Sequence, residues 1–136
     1  MNSSENDLSI FERGERASED YFTGNAWVKF LVPKSEIFNC QIANVEFEAG
    51  ARTNWHTHGG GQILIITTGS GYYQEKGKPA QKLEKGSVVQ IPPDLEHWHG
   101  ASAEKGLSHI AVNTNAHLGV ATWLEKVTDE EYRSAK

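Results

Sequence analysis

From Tyr21 onward the apolar residues of the chain come in short bursts: AWVKFLV, FNCQIANVEFE, QILIITT, GYYQEKG, SVVQIP and LSHIAVN. Each burst is rich in β-branched and aromatic residues and is bounded by Gly, Pro, Asn or Asp, which predicts the strands of an all-β sandwich or barrel. Within ANVEFE the alternation places Ala43, Val45 and Phe47 on one face and Asn44, Glu46 and Glu48 on the other; the first face is predicted to point inward. The texture changes in WLEKVTDEEYRSAK, where Thr128 is followed three residues later by Glu131. That spacing is a capping box and predicts a short C-terminal helix. Residues 1–20 are polar and charged without a sustained period and read as a flexible or edge-lying arm, leaving 21–136 as a single domain that includes the helix. No internal repeat suggests a solenoid.

A chain of 136 residues is large enough for one continuous core but not for two. Its net charge of -5 comes without a basic cluster, so nucleic acid is not expected as a partner. No apolar run approaches the roughly 20 residues needed to cross a bilayer, which argues against a membrane partner. The beginning MNSSENDLSIFERGERASED is polar and acidic where a signal peptide would be basic and then apolar, so a cytoplasmic protein is expected. The single cysteine, Cys40, has no internal partner for a disulfide and reads as a small apolar strand residue, in agreement with a reducing compartment.

The histidines change the picture. In GARTNWHTHGGGQ, His56 and His58 are one residue apart, so on an extended strand they project the same way, roughly 6.5–7 Å apart along the backbone, while Trp55 and Thr57 face the other side. Gly59, Gly60 and Gly61 allow a tight turn that brings Gln62 back toward the same point. A second pair, His97 and His99, follows a strand flanked by Gly86 and Pro92. If the two strands pack face to face, the histidines meet inside the barrel, where a buried imidazole must be either hydrogen-bonded or metal-bound. The pattern predicts a metal site.

The spacing of Gly50, His56, His58, Gln62 and Gly69, followed by that of Gly86, Pro92 and His97, resembles the two motifs of the cupins. The resemblance implies a double-stranded β-helix, the cupin jelly-roll barrel, which is often a homodimer. It also implies a divalent metal ion in the barrel mouth, held by His56, His58, Gln62 and His97. Three positions depart from the motifs: Gln62 stands where most cupins have Glu, Asp94 replaces a turn glycine, and Ala101 replaces a terminal Asn. Asp tolerates turn conformations, so Asp94 does not threaten the fold. The strings GARTNWHTH, GQILIITTGSGYYQEKGKP, HWHGA and VTDEEY are similar to small bacterial cupins that include manganese-dependent hydroxynitrile lyases, and to cupin modules found beside carboxymuconolactone decarboxylases. In those lyases three histidines and a Gln hold the metal, so manganese is the ion this resemblance implies, with iron, zinc, nickel and cobalt compatible with the same donors.

A Gln offers a neutral carbonyl oxygen where Glu brings a negative charge, so three imidazoles and one amide leave the ion its full double charge. Such a site is a stronger Lewis acid and binds anions better, and it stabilises a higher oxidation state of iron less well. His99 shares the facing of His97 and is expected near the ion. In LSHIAVN, His109 alternates with Ser108 and Ile110; if it faces the cavity, so does Asn113. A histidine with a pKa near neutrality beside a Lewis acid is a proton shuttle. By resemblance to the lyases, His109 is the expected base, with His99 as a second candidate. Ala43, Val45 and Phe47 are expected to line the opposite wall, giving with Asn113 a narrow, largely apolar pocket for a small carbonyl or cyanohydrin-like substrate. Trp55 and Trp98 point away from the ligands, toward core or dimer packing. Arg52 and Thr53 either orient a polar group or, in the case of Arg52, pair with an acidic neighbour. An iron-dependent dioxygenase and a non-catalytic small-molecule binding module remain open beside the lyase.

Overall fold

The computed structural model describes residues 9–136. In chain order the strands are β1 (Glu15–Arg16), β2 (Phe22–Thr23), β3 (Ala26–Ser35), β4 (Cys40–Phe47), β5 (Arg52–Thr53), β6 (His56–Thr57), β7 (Gln62–Glu75), β8 (Gln81–Glu84), β9 (Val88–Ile91), β10 (His97–Ala101), β11 (Leu107–Thr114) and β12 (Thr122–Trp123). A single 3₁₀ turn (Ala116–Leu118) precedes β12, and a helix, α1 (Asp129–Arg133), ends the chain. Among the described residues every strand pairing is antiparallel, in one curled sheet of order β1-β3-β4-β11-β7-β10-β5-β2. Strand β6 lies against β10 and β12, and β8 and β9 add to β7. This is the expected double-stranded β-helix barrel.

Strand β7 joins the two layers. Its first half pairs with β11 and β9 and its second half with β10 and β8. The sequence separates QILIITT from GYYQEKG because Gly69, Ser70 and Gly71 look like a turn; the structure runs them as one strand. These glycines serve close approach instead: a Cβ on Gly71 would stand 2.0 Å from the Gly100 carbonyl oxygen of β10. The inward residues Leu64, Ile66 and Tyr73 of β7 pack with Phe47, Leu83, Ile91 and Leu107 in the barrel core.

Both faces of β4 are buried, whereas its alternation predicts one inward face. Ala43, Val45 and Phe47 point into the barrel, but Asn44 and Glu46 on the outer face are also covered. Arg13 reaches Glu46 at 3.2 Å and stacks on Trp27, and β1 pairs with Trp27 and Val28 of β3, so residues from the N-terminal segment lie over this face. Of the arm expected over residues 1–20, residues 1–8 lie outside the described residues.

Helix α1 starts as the sequence predicts: Thr128 accepts from the Glu131 amide and the Glu131 side chain accepts from the Thr128 amide. Beneath the helix Trp55, Trp98, Val127, Tyr132 and Ala135 form a second apolar cluster, so both tryptophans do turn away from the histidines, into packing within their own chain. Arg52 is buried here as well, donating to the Val127 carbonyl and pairing with Asp129 at 2.8 Å. It therefore anchors the helix segment and does not line the cavity. Asp94 adopts a φ of 62°, the left-handed turn conformation its motif position calls for. Among the described residues no helix is long and apolar enough to cross a membrane.

Replacing Gly71 by Ala is expected to force the β7–β10 crossing apart and to destabilise the fold by about 1–3 kcal/mol or more. Urea denaturation checks this; a midpoint equal to that of the parent contradicts the close-approach reading.

Candidate metal centre and its cavity

The pairing of β6 with β10 sets His56 directly opposite His97, with ring centroids 4.3 Å apart. His58, just past the end of β6, and His99, within β10, follow two residues later and also turn inward. The ring of His58 lies 4.8 Å from His56 and 5.2 Å from His97; that of His99 lies 5.4 and 5.8 Å from the same two. His56, His97 and His99 each offer a ring nitrogen within 4.8 Å of the others, a three-histidine cluster that can hold a metal ion. Gln62 reaches this point from the start of β7, because the glycine turn is clamped to the end of β11. The Gly60 carbonyl accepts from Thr114 Oγ1 and Asn115 Nδ2, and a Cβ on Gly60 would stand 2.1 Å from the Thr114 carbonyl oxygen.

Hydrogen bonds fix which ring nitrogens are free. Nδ1–H of His56 donates to the Asn54 carbonyl, that of His97 to the Leu95 carbonyl, and that of His58 to the Val120 carbonyl. An imidazole held through Nδ1–H presents a bare Nε2 lone pair. Nε2 of His58 and of His97 is buried without a protein partner, and so is Oε1 of Gln62, whose Nε2 donates to Asn113 Oδ1 at 2.8 Å. The Gln62 carbonyl lies close enough to the His58 ring to favour its charged form. Acceptors facing one another with no donor between them suit a cation, so the residues present fit a divalent metal. His99 differs from the other three: its Nδ1 meets Nε2 of His109 at 3.2 Å, with no backbone anchor, and its Nε2 also lacks a partner.

Burial is the largest influence on every one of these rings. It holds His56 and His99 well below the usual imidazole range, helped by the neighbouring histidines, lowers His58, and brings His97 and His109 down to about 4. All five are thus neutral near pH 7, the form that binds metals.

A cavity of about 160 Å³ opens onto this centre. Val28 and Phe30 of β3 and Ala43 and Val45 of β4 form one wall; His56, His58, Gln62, His99 and Asn113 form the floor; Val120, Ala121 and Trp123 cover it. Among its lining residues none is Lys, Arg, Asp or Glu. Two expectations need correction. Phe47 does not line the cavity: it is fully buried beneath it, 5.9 Å from the His99 ring and 5.4 Å from that of His109. His109 is buried inside the barrel but lies behind His99 and away from the lining that Asn113 joins, and burial brings its pKa down to about 4, far from the near-neutral value expected of a shuttle. Both sit one layer too deep because β11 and β4 run on past the cavity into the core.

Trp123 carries no motif in the sequence, where it reads as the approach to the helix. In the structure β12 pairs it with His56, its ring lies 4.7 Å from that of His56, and it stacks on Tyr21 at 4.7 Å. Gln41 and Phe30 were also not legible as cavity residues. Thr53, which lines the cavity, accepts from the His99 amide at 3.2 Å. His117 is exposed on the 3₁₀ turn and bonds Asn39.

Residues 43–113 match the cupin domain. An (R)-mandelonitrile lyase of Granulicella tundricola is 40% identical over 130 residues, covering 93% of this chain and 99% of its own. A cupin-like protein of Thermotoga maritima is 58% identical and superposes with a TM-score of 0.92, over 94% of this chain and 97% of that one. A predicted oxalate decarboxylase of the same organism, 21% identical, superposes at 0.66 over 81% of this chain and 91% of its own, and bears on the fold alone.

The folded-state pKa values of the buried histidines lie below the ordinary 6.5, so the unfolded chain binds more protons. Stability of the metal-stripped protein is therefore full above about pH 6.5 and falls as the pH drops from there toward about 4. Thermal unfolding of metal-stripped protein across that window is expected to show a steadily falling midpoint; a flat profile contradicts the burial of neutral imidazoles.

Proposed function

Since the chain belongs to the cupin family, we propose that it is a metal-dependent lyase acting on a small carbonyl or cyanohydrin-like compound, with His56, His58, Gln62 and His97 as the ligands. The observation that carries this reading is the unpartnered Nε2 of His58 and of His97 and Oε1 of Gln62, buried together beside a small cavity whose lining holds no charged side chain. Choosing His58 over His99 as the third imidazole rests on the shared anchoring of His56, His58 and His97 through Nδ1 to backbone carbonyls. Manganese is the proposed ion, although iron, zinc, nickel and cobalt suit the same donors. The name of the 40%-identical relative, an (R)-mandelonitrile lyase, supports the reaction class.

When bound, the ion supplies Lewis acidity toward a substrate oxygen and a place for a small anion. The chain supplies the rest. Apolar walls from β3 and β4 exclude water and hold an uncharged substrate body against the floor. His99, whose Nε2 is unpartnered and which lines the cavity, takes the proton from a substrate hydroxyl as the carbon–carbon bond breaks to give a carbonyl and a small anion. The same proton then passes from His99 Nε2 to the anion, so the reaction is redox-neutral. A buried imidazole with lowered basicity releases its proton readily, which suits this return step. His109 stands behind His99 at 3.2 Å, and the tautomer in which His99 Nδ1–H donates to His109 Nε2 is the one that leaves the working nitrogen bare.

The proposal includes a homodimer. Ile63 and Ile65 of β7, Val88 of β9 and Ile110 and Val112 of β11 lie side by side on the outer face of the sheet, where Ile65 and Val88 are exposed. A single Ile65→Lys change is expected to shift the sedimenting species from dimer to monomer; an unchanged mass places the contact elsewhere.

Metal analysis and turnover of two variants test the site assignment. His58→Ala is expected to lose the ion. His99→Ala is expected to keep it and to lose about 10²–10⁴-fold in kcat on cyanohydrin substrates. The reverse pattern, metal lost with His99 and kept without His58, overturns the ligand choice. Turnover is expected to be equal with and without oxygen; dependence on oxygen favours the dioxygenase instead.

A further inference from the structure

Three side-chain amides lie in one row across three adjacent strands. The register sets Gln41 of β4 opposite Asn113 of β11, and Asn113 opposite Gln62 of β7. They are bonded in one direction: Gln62 Nε2 donates to Asn113 Oδ1 at 2.8 Å, and Asn113 Nδ2 donates to Gln41 Oε1 at 3.1 Å. At the inner end of the row Gln62 Oε1 is buried with no protein partner, next to the His58 ring. Gln41 is half-buried at the other end, on the cavity lining.

We propose that Asn113 is a positioning residue which, backed by Gln41, fixes the sense of the Gln62 amide so that its carbonyl oxygen faces the metal. This rests on the reading of Gln62 as a ligand. An amide has nearly the same shape in either sense, and only one sense is useful here. Turned over, Gln62 would aim its NH₂ at the bare Nε2 of His58, and a hydrogen bond there would occupy that lone pair while the Gln62 oxygen pointed away from the cation. The turned amide would also set its oxygen against Asn113 Oδ1. Relieving that clash requires Asn113 to turn, and then Gln41, so the row resists reversal as a unit. A glutamate at position 62 would need no such device, because both of its oxygens are acceptors. Asn113, placed by sequence among the substrate-binding residues, thereby acts through Gln62.

Calorimetric titration of the metal-stripped full-length protein with Mn(II) tests this. Asn113→Leu, similar in size but without an acceptor, is expected to weaken Mn(II) binding about 10–100-fold. Asn113→Asp retains the acceptor and is expected to bind at least as tightly as the parent. In the Gln62→Glu background, Asn113→Leu is expected to change affinity by less than about threefold, because a carboxylate has no sense to fix. Equal affinity of Asn113→Leu and the parent overturns the proposal, and so does a loss of the same size in both backgrounds, which would make Asn113 merely structural. Failure of the parent itself to bind Mn(II) instead refutes the metal reading on which this rests.

Discussion

Three backbone carbonyls determine what this barrel can hold. Those of Asn54, Leu95 and Val120 take the Nδ1 protons of His56, His97 and His58, and so decide that Nε2 of each ring is bare. Two of these bonds are local, reaching back two residues to the segments that lead into β6 and β10. The third comes from the segment after β11, so the centre is complete only when the chain end folds back over the cavity. A neutral hydrogen bond contributes about 1 kcal/mol net, whereas each buried acceptor left without a donor costs about 1–3 kcal/mol. The unpartnered nitrogens of His58, His97 and His99 and the oxygen of Gln62 therefore work against folding unless something electropositive joins them. A polar cluster kept at that cost within an apolar barrel is the kind of local conflict that marks function.

Charge, or its absence, is the second constraint. The floor carries imidazoles held neutral by burial and the amides of Gln62 and Asn113, and the walls add no ionised side chain. A dication placed there keeps its charge undiminished by its ligands, in surroundings of low polarity where its pull on an oxygen lone pair is strongest. Three carboxylates pair with other groups: Glu46 with Arg13, Asp129 with Arg52, and Glu75, opposite His97 across β7 and β10, with Lys78 and Tyr73. The cluster of Trp55, Trp98 and Tyr132 beneath α1 supports the other face of the strands that bear His56 and His97, so the ligand strands are packed on both sides.

The barrel and the meeting of the two histidine pairs were legible because both depend on short-range spacing: an i, i+2 pair on a strand has one facing, and glycines and prolines mark where strands end. The capping box at Thr128 was legible for the same reason. What the sequence hides is depth and partnership. His109 and Phe47 share the inward face of their strands with Asn113 and Ala43, and nothing in a period of two says that they lie below the cavity. Trp123 reaches His56 through a pairing between segments 67 positions apart, which no local pattern encodes. Gly69 and Gly71 look like punctuation but are crossing points, because a glycine needed for space is indistinguishable in sequence from one needed for a turn.

The depth of His109 changes what it and His99 can do together. A histidine open to the cavity and titrating near neutrality would exchange protons with water as readily as with substrate. His99, which lines the cavity, and His109 behind it are instead both buried and lowered in basicity, with their rings edge to face beside Phe47 and their nitrogens 3.2 Å apart. Protonating His99 places a charge beside His56 and His97 and, with a metal bound, beside a dication, so the protonated ring cannot persist. In the proposed lyase reaction, a proton taken by His99 from a substrate hydroxyl must then return quickly to the nearest developing anion. Such a carrier is poorly suited to holding protons over many turnovers and well suited to moving one proton a short distance within a single substrate, which is the requirement of a lyase that leaves its products with the same protons it received.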